Sequence, residues 1–164
     1  LCFGTLNPDL IYFVDELPGK GDDIRSLKFS MRPGGTAINC SELISLWNKS
    51  VEVRGNSIGS DPMGNYLIDY LKENNIKFDG LIIDQSVTPT CSIFVDSSGE
   101  RTIVSSGYEG LEWSNFKNIN NFDSLILDRY SVKFINDELK DLKEINNLFV
   151  CQAGYEYELS LIHI

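Results

Sequence analysis

The sequence predicts an α/β fold built on a mostly parallel sheet flanked by helices, and three observations predict it. Short β-prone runs recur at residues 1–4, 51–56, 125–127 and 148–150. Segments of helical period separate them. Two further β-like stretches, near 10–30 and 90–105, stand outside that alternation and read as insertions. Strands alternating with helices favour parallel pairing, because each crossover helix carries the chain back over the sheet.

Taken in order, Leu1–Gly4 reads as a buried strand already under way at the first residue. Leu10–Val14 is a second apolar run, closed by turn signals at Pro18-Gly19 and Gly21. Ile24–Ser30 alternates as a half-buried strand does. A helix follows over Thr36–Trp47, with Ala37, Cys40, Leu43, Ile44 and Trp47 at helical spacing. Asn48 ends it, since Asn tolerates the left-handed conformation a helix stop requires. Asp61-Pro62 marks the next helix start, a cap followed by a first-turn proline. That helix places Met63, Leu67, Tyr70 and Leu71 on one face and stops near Asn74-Asn75. Thr90–Val95 and Arg101–Val104 flank a hairpin loop at Asp96-Ser97-Ser98-Gly99. Leu125–Leu127 and Leu148–Val150 are strand cores, with a helix expected over Lys133–Glu144. No repeat or long linker interrupts the chain.

Composition removes several classes of function. The 164 residues carry a net charge of −10, against the basic surface that nucleic-acid binding needs. No Lys/Arg cluster in the sequence announces a pocket for an anionic substrate. No apolar run reaches the roughly 18 residues of a membrane span. Cys2, Cys40, Cys91 and Cys151 lie far apart with no metal or redox spacing, and read as reduced, mostly buried thiols of a cytoplasmic protein. His163 is the only histidine, which leaves no basis for a His-built metal site or Ser-His chemistry.

Polar chemistry concentrates in two places. Pro33-Gly34-Gly35-Thr36-Ala37-Ile38-Asn39 is a glycine turn opening a helix, where backbone approaches a ligand closely and N–H groups are free. Asn7-Pro8-Asp9 follows the first strand, at the carboxyl end where open sheets bind ligands. A carboxylate there accepts paired hydroxyl hydrogen bonds, although the tripeptide also reads as a plain turn. Asn39 is the odd polar residue among Ala37, Ile38 and Cys40, a ligand contact or a buried structural amide.

These segments, with Gly59-Ser60-Asp61-Pro62-Met63-Gly64, resemble the amino-terminal half of the PfkB (ribokinase-like) family of carbohydrate kinases. Gly34, Gly35, Ala37, Asn39, Ser41 and Gly59 fall at the family spacing, and Asn48 departs from it where Gly or Ser is usual. The resemblance implies a ribokinase-like sheet whose two insertions form a small β lid over a sugar site. It covers roughly residues 1–155, and residues 1–158 are expected to form the amino-terminal part of the kinase domain. Residues 159–164 read as a translated adapter or as a strand cut by a fragment boundary.

The resemblance implies ATP-dependent phosphorylation of a sugar hydroxyl by the intact protein, with this chain supplying the sugar-binding part and inactive alone. A nucleoside kinase of the same family and a non-catalytic sugar-binding relic are the alternatives. Asn7, Asp9, Gly34, Gly35, Asn39 and Asp128 are the implied substrate-binding residues. Asp128 sits where relatives carry an acidic contact, although Arg129 beside it offers an ordinary ion pair. Cys91, Ile93 and Arg101 are the implied lid contacts; lid packing and a solvated turn charge are their plain readings. Thr36 replaces a Lys found in some sugar kinases. Gly59, Asp61 and Gly64 read as structural, with Asp61 as a cap. No Gly-Ala-Gly-Asp segment and no Gly-x-x-x-x-Gly-Lys loop is present, so the catalytic Asp and the ATP and Mg²⁺ sites are expected outside this chain. The expected partners are a sugar or other small polyol and a second copy bound through the lid strands Leu10–Val14 and Thr90–Val95, with no nucleic acid and no membrane.

Overall fold

The structure, a computed structural model, describes residues 1–132, 134 and 147–151, the last five by backbone alone. Its centre is a parallel sheet of β1 (Cys2–Gly4), β4 (Glu52–Gly55), β6 (Lys77–Phe78), β10 (Ser124–Asp128) and β11 (Asn147–Cys151), in the order β11-β10-β1-β4-β6. Strand order reverses direction at β1, so the crevice beyond its carboxyl end is where such a sheet takes a ligand. Two helices, α1 (Thr36–Leu46) and α2 (Pro62–Glu73), lie on one face. Ala37, Ile38, Leu67 and Leu71 pack there against Cys2, Val53 and Ile58. The opposite face buries Phe3, Leu125 and Leu127 under Phe116 and Ile119, from an irregular segment the sequence did not announce. The helix expected over Lys133–Glu144 and the tail at 159–164 lie outside the described residues, apart from Phe134. A single helical turn, α3 (Arg129–Val132), follows β10.

The insertions meet as one four-stranded sheet. Its strands are β2 (Asn7–Phe13), β3 (Lys28–Gly34), β8 (Thr90–Val95) and β9 (Arg101–Ser106), in the order β3-β2-β8-β9. Sequence and structure part company over β3. The alternation at Ile24–Ser30 predicts a strand there, but the paired strand starts at Lys28 and runs on through Pro33. Asn7-Pro8-Asp9 is likewise strand, not turn. Register explains both: Pro8 sits opposite Pro33. Neither has an N–H to give, so this rung is of the non-hydrogen-bonded kind and the flanking rungs carry the ladder. Between the sheets, β5 (Ile58–Gly59) and β7 (Ile82–Ile83) form a small parallel pair that the sequence reading did not foresee.

Several local expectations hold for physical reasons. Asn48 adopts φ 54° at the end of α1. Asp61 caps α2, accepting the Gly64 N–H at 2.8 Å, and also takes the Thr88 hydroxyl at 2.7 Å and the Thr88 N–H at 2.8 Å. Burial opposes charge on Asp61, but these donors outweigh it and hold its pKa below the ordinary carboxylate value. A Cβ on Gly64 would stand 2.0 Å from the Gly59 carbonyl oxygen, so helix and β5 touch backbone to backbone. At the carboxyl ends of β1 and β4, Gly4 and Gly55 are partners, and a Cβ on Gly55 would stand 1.8 Å from the Gly4 carbonyl oxygen. Cys2 is buried, whereas Cys40 and Cys91 are half-buried.

A buried Glu52–Arg54 ion pair on β4 is joined from the surface by Asp79 and Lys77. Arg54 Nε donates to Glu52 Oε1 at 2.7 Å, Arg54 Nη2 lies 2.9 Å from Asp79, and Lys77 reaches Glu52 Oε2. Arg54 also donates to the Lys117 carbonyl at 2.7 Å and lies over the Phe122 ring. Burial pushes the Glu52 carboxyl up, but Lys77 and Arg54 together hold it below its usual value.

Candidate functional site

The site is assembled where the two sheets meet. Thr5 and Leu6 form the joint between β1 and β2, and buried side chains satisfy their backbone. The Thr5 N–H donates to Asp128 Oδ2 at 2.7 Å. The Leu6 N–H donates to Asn56 Oδ1 at 2.7 Å, and Asn56 Nδ2 donates back to the Leu6 carbonyl at 3.1 Å. The Thr5 carbonyl accepts the Ala37 N–H at 3.3 Å. Chain direction changes at the joint without leaving a buried polar group unpaired.

Beyond the joint, β2 carries Asp9 over the glycine turn. Asn7, 2% exposed, donates its Nδ2 to Asp9 Oδ1 at 2.7 Å. Asp9 Oδ2 accepts no hydrogen bond among the described residues. A Cβ on Gly34 would lie 2.4 Å from the Asp9 carboxylate, so only glycine leaves room for it. Gly35 takes φ 84° and presses against the joint, with a virtual Cβ 2.2 Å from the Thr5 carbonyl oxygen. Burial pushes the Asp9 carboxyl above its ordinary pKa, against the lowering pull of Asn7.

A cleft of about 640 Å³ opens between the four-stranded sheet and the helices, and both Asp9 and Asn39 line it. Asn39 is exposed on the outer side of α1, not a buried structural amide. Glu42 and Tyr70 line the same wall. Burial and then the neighbouring Glu42 carboxylate raise the Tyr70 phenol pKa. The helix N-terminus is less open than the sequence implied. The Thr36 N–H is taken by Thr5 Oγ1 at 3.2 Å and the Ala37 N–H by the Thr5 carbonyl.

The lid face over the cleft reads as three cross-strand rungs. Arg32, Asp9, Cys91 and Ser105 form the innermost; Ser30, Ile11, Ile93 and Ile103 the next; Lys28, Phe13, Val95 and Arg101 the outermost. At 3.3 Å per residue the Asp9 rung lies about 13 Å from the Arg101 rung. Ile93 and Arg101 line the cleft directly, while Cys91 Sγ lies 3.5 Å from both the Ser105 and the Tyr108 hydroxyls. Burial, then Cys91, raises the Tyr108 phenol pKa, with Asp9 and Tyr130 adding to the effect. The absence of a basic cluster in the sequence is corrected here: the fold gathers Lys28, Arg32 and Arg101 along one cleft. Lys28 and Arg32 are neighbours on alternate positions of β3, but only the strand pairing brings the distant Arg101 to join them.

Asp128, 1% exposed, is enclosed. Its Oδ2 accepts the Thr5 N–H and, at 2.8 Å, the Thr5 hydroxyl; its Oδ1 accepts the N–H groups of Tyr130 at 3.0 Å and Ser131 at 2.7 Å. The neighbouring Arg129 stacks on Tyr130, its guanidinium carbon 4.6 Å from the ring centroid. Thr5 and Asn56 were missed by sequence reasoning; each is a polar residue directly after a strand of the parallel sheet, the one signal that marked them. Among the described residues no group of three His, Cys, Asp or Glu side chains is placed to hold a metal, and no helix is long and apolar enough to cross a membrane.

Fold and cleft together define a parallel α/β sheet with a second, four-stranded sheet beside it, and comparison with known proteins gives the family. The profile of the pfkB family carbohydrate kinases matches residues 1–150, and the chain belongs to that family. It is 27% identical over 124 residues to a ribokinase of Dictyostelium discoideum, covering 75% of this chain and 38% of the relative. The fold matches a fructokinase of Halothermothrix orenii with a TM-score of 0.74 at 16% identity, covering 91% of this chain and 55% of that one. A ribokinase of Cryptococcus neoformans, solved in complex with ADP, matches with a TM-score of 0.65 at 19% identity over 90% of this chain and 47% of that one. The chain thus spans about half the length of these solved structures, and less of the curated ribokinase.

Proposed function

We propose that this chain is the sugar-binding part of an ATP-dependent carbohydrate kinase that phosphorylates a sugar hydroxyl. The observation that carries the reading is the Asp9 carboxylate. One oxygen is fixed by Asn7, the body rests over Gly34, and the other oxygen is unpartnered at the cleft that Asn39 lines. A carboxylate held so accepts hydrogen bonds from adjacent hydroxyls, the pattern a polyol offers. Asn39 supplies the amide, Gly34 and Gly35 the close backbone, and Cys91, Ile93 and Arg101 the roof.

The catalytic Asp and the ATP and Mg²⁺ contacts lie outside this chain, and the chain alone is inactive. Phosphoryl transfer needs a base and charge neutralisation at the transferring group, and the sequence carries neither the Gly-Ala-Gly-Asp segment nor the Gly-x-x-x-x-Gly-Lys loop that would supply them. The protein works in the cytoplasm as a homodimer joined through its lid strands, with residues 159–164 outside the kinase domain.

Isothermal titration of the chain with ribose, fructose, adenosine and a sugar phosphate tests the binding reading. The phosphate ester belongs in the panel because Lys28, Arg32 and Arg101 line the cleft. Saturable binding of one acceptor, abolished in Asp9→Ala, is expected. A heat signal that Asp9→Ala leaves unchanged refutes the assignment, and turnover of ATP by the 164-residue chain refutes its inactivity.

A further inference from the structure

We infer that Asp128 is a positioning residue that acts on the sugar site through Thr5, without touching the sugar; the inference rests on the sugar-site reading above. Each oxygen of its carboxylate already accepts two hydrogen bonds, Oδ2 from the Thr5 N–H and hydroxyl and Oδ1 from the Tyr130 and Ser131 N–H groups. Four donors match the lone-pair sites of an ionised carboxylate, and at 1% exposure no face is left for a guest.

What the clamp holds is the part of the chain that aligns the site. With its hydroxyl proton committed to Asp128, Thr5 Oγ1 presents a lone pair to the Thr36 N–H at 3.2 Å. The Thr5 carbonyl takes the Ala37 N–H and lies directly against Gly35. Thr5 therefore fixes the first turn of α1 and the glycine turn on one side. On the other side it fixes the start of β2, where Asn7 and Asp9 follow. Asp128 sets the rotamer of Thr5 and so the spacing between Asp9 and the α1 wall that bears Asn39. Ser131 closes the assembly: its hydroxyl lies 2.9 Å from the Asp128 carbonyl and 3.1 Å from the Phe3 carbonyl, tying α3 to β1.

The test is a double-mutant cycle of Thr5→Val and Asp128→Asn, with Thr5→Ser as the conservative rescue, read by sugar titration and by hydrogen exchange at the Thr36 and Ala37 amides. Thr5→Val and Asp128→Asn are each expected to weaken sugar binding by about 10-fold or more, the worth of one charge-assisted hydrogen bond, and the double variant no further. Exchange at Thr36 and Ala37 should quicken in both, and Thr5→Ser should restore affinity and protection. Sugar loss in Asp128→Asn with none in Thr5→Val would mean direct contact and overturn the inference; so would additive losses. Should Asp128→Asn fail to fold, Thr5→Val against Thr5→Ser decides on the same readouts. If no sugar binds the unaltered chain, the sugar reading fails; unchanged exchange in Thr5→Val sinks the clamp independently.

Discussion

Gly34→Ala separates recognition from stability. The new methyl would stand 2.4 Å from the Asp9 carboxyl carbon, whereas ordinary contact begins at 3.4 Å. The carboxylate must therefore retreat by about 1 Å, which stretches its 2.7 Å bond to Asn7 past hydrogen-bonding range. Asp9 is half-buried and turns towards water, so little folding energy is lost. The backbone of Gly34 is not in the left-handed region, so alanine gains roughly 0.5–1 kcal/mol from a stiffer unfolded chain. Recognition fares otherwise. A hydrogen bond between a charged carboxylate and a sugar hydroxyl contributes about 1.5–3 kcal/mol, and misplacing it weakens affinity by roughly 10- to 100-fold. Titration calorimetry with the preferred sugar, beside a thermal melt, checks both terms. A variant that binds within threefold of the parent while melting normally would refute the placement of Asp9 as the grip.

Two further predictions follow from charge. Burial raises the Asp9 pKa, so the unfolded chain releases this proton first, and stability is lost as pH climbs from the unfolded value through the folded one. Asp9→Asn should therefore melt higher than the parent at pH 7, with the gap closing below about pH 4; a lower melting point at neutral pH contradicts the reasoning. Glu52 is the opposite case. Its folded pKa is depressed, so its contribution is full above the unfolded value and is lost as pH falls through the folded one. Glu52→Gln leaves Arg54 buried with a weakened partner, a cost of about 3 kcal/mol in urea denaturation at pH 7, and flattens the acid limb of the stability profile. A steep acid limb surviving in that variant would show that other carboxylates set it.

The core architecture was legible because helical and strand periods are local. Asp61 announced its cap, and Asn48 its left-handed stop. The shared cleft was legible through Asp9 and Asn39, which line it, and through Gly34, which lies against the Asp9 carboxylate. Failures came where pairing overrode local preference. Asn7, Pro8 and Asp9 are poor strand formers, yet a proline opposite a proline lets them run as strand. Residues 111–122 carry no period at all, and pack by aromatic contact, Phe3 against Phe116 with ring centroids 5.1 Å apart. Arg101 could not be joined to Lys28 and Arg32 from the sequence because rungs bring together positions that the chain separates.

The paired glycines that end β1 and β4 carry a consequence for how this scaffold diversifies. Where the two strands finish, main chain packs on main chain and the Asp128 carboxylate lies over Gly4, so neither glycine offers a guest a side chain. Chemical preference must then be written overhead, in the twelve side chains the lid turns downward. Exchanging strands between relatives should transplant taste for a guest while leaving the platform beneath untouched.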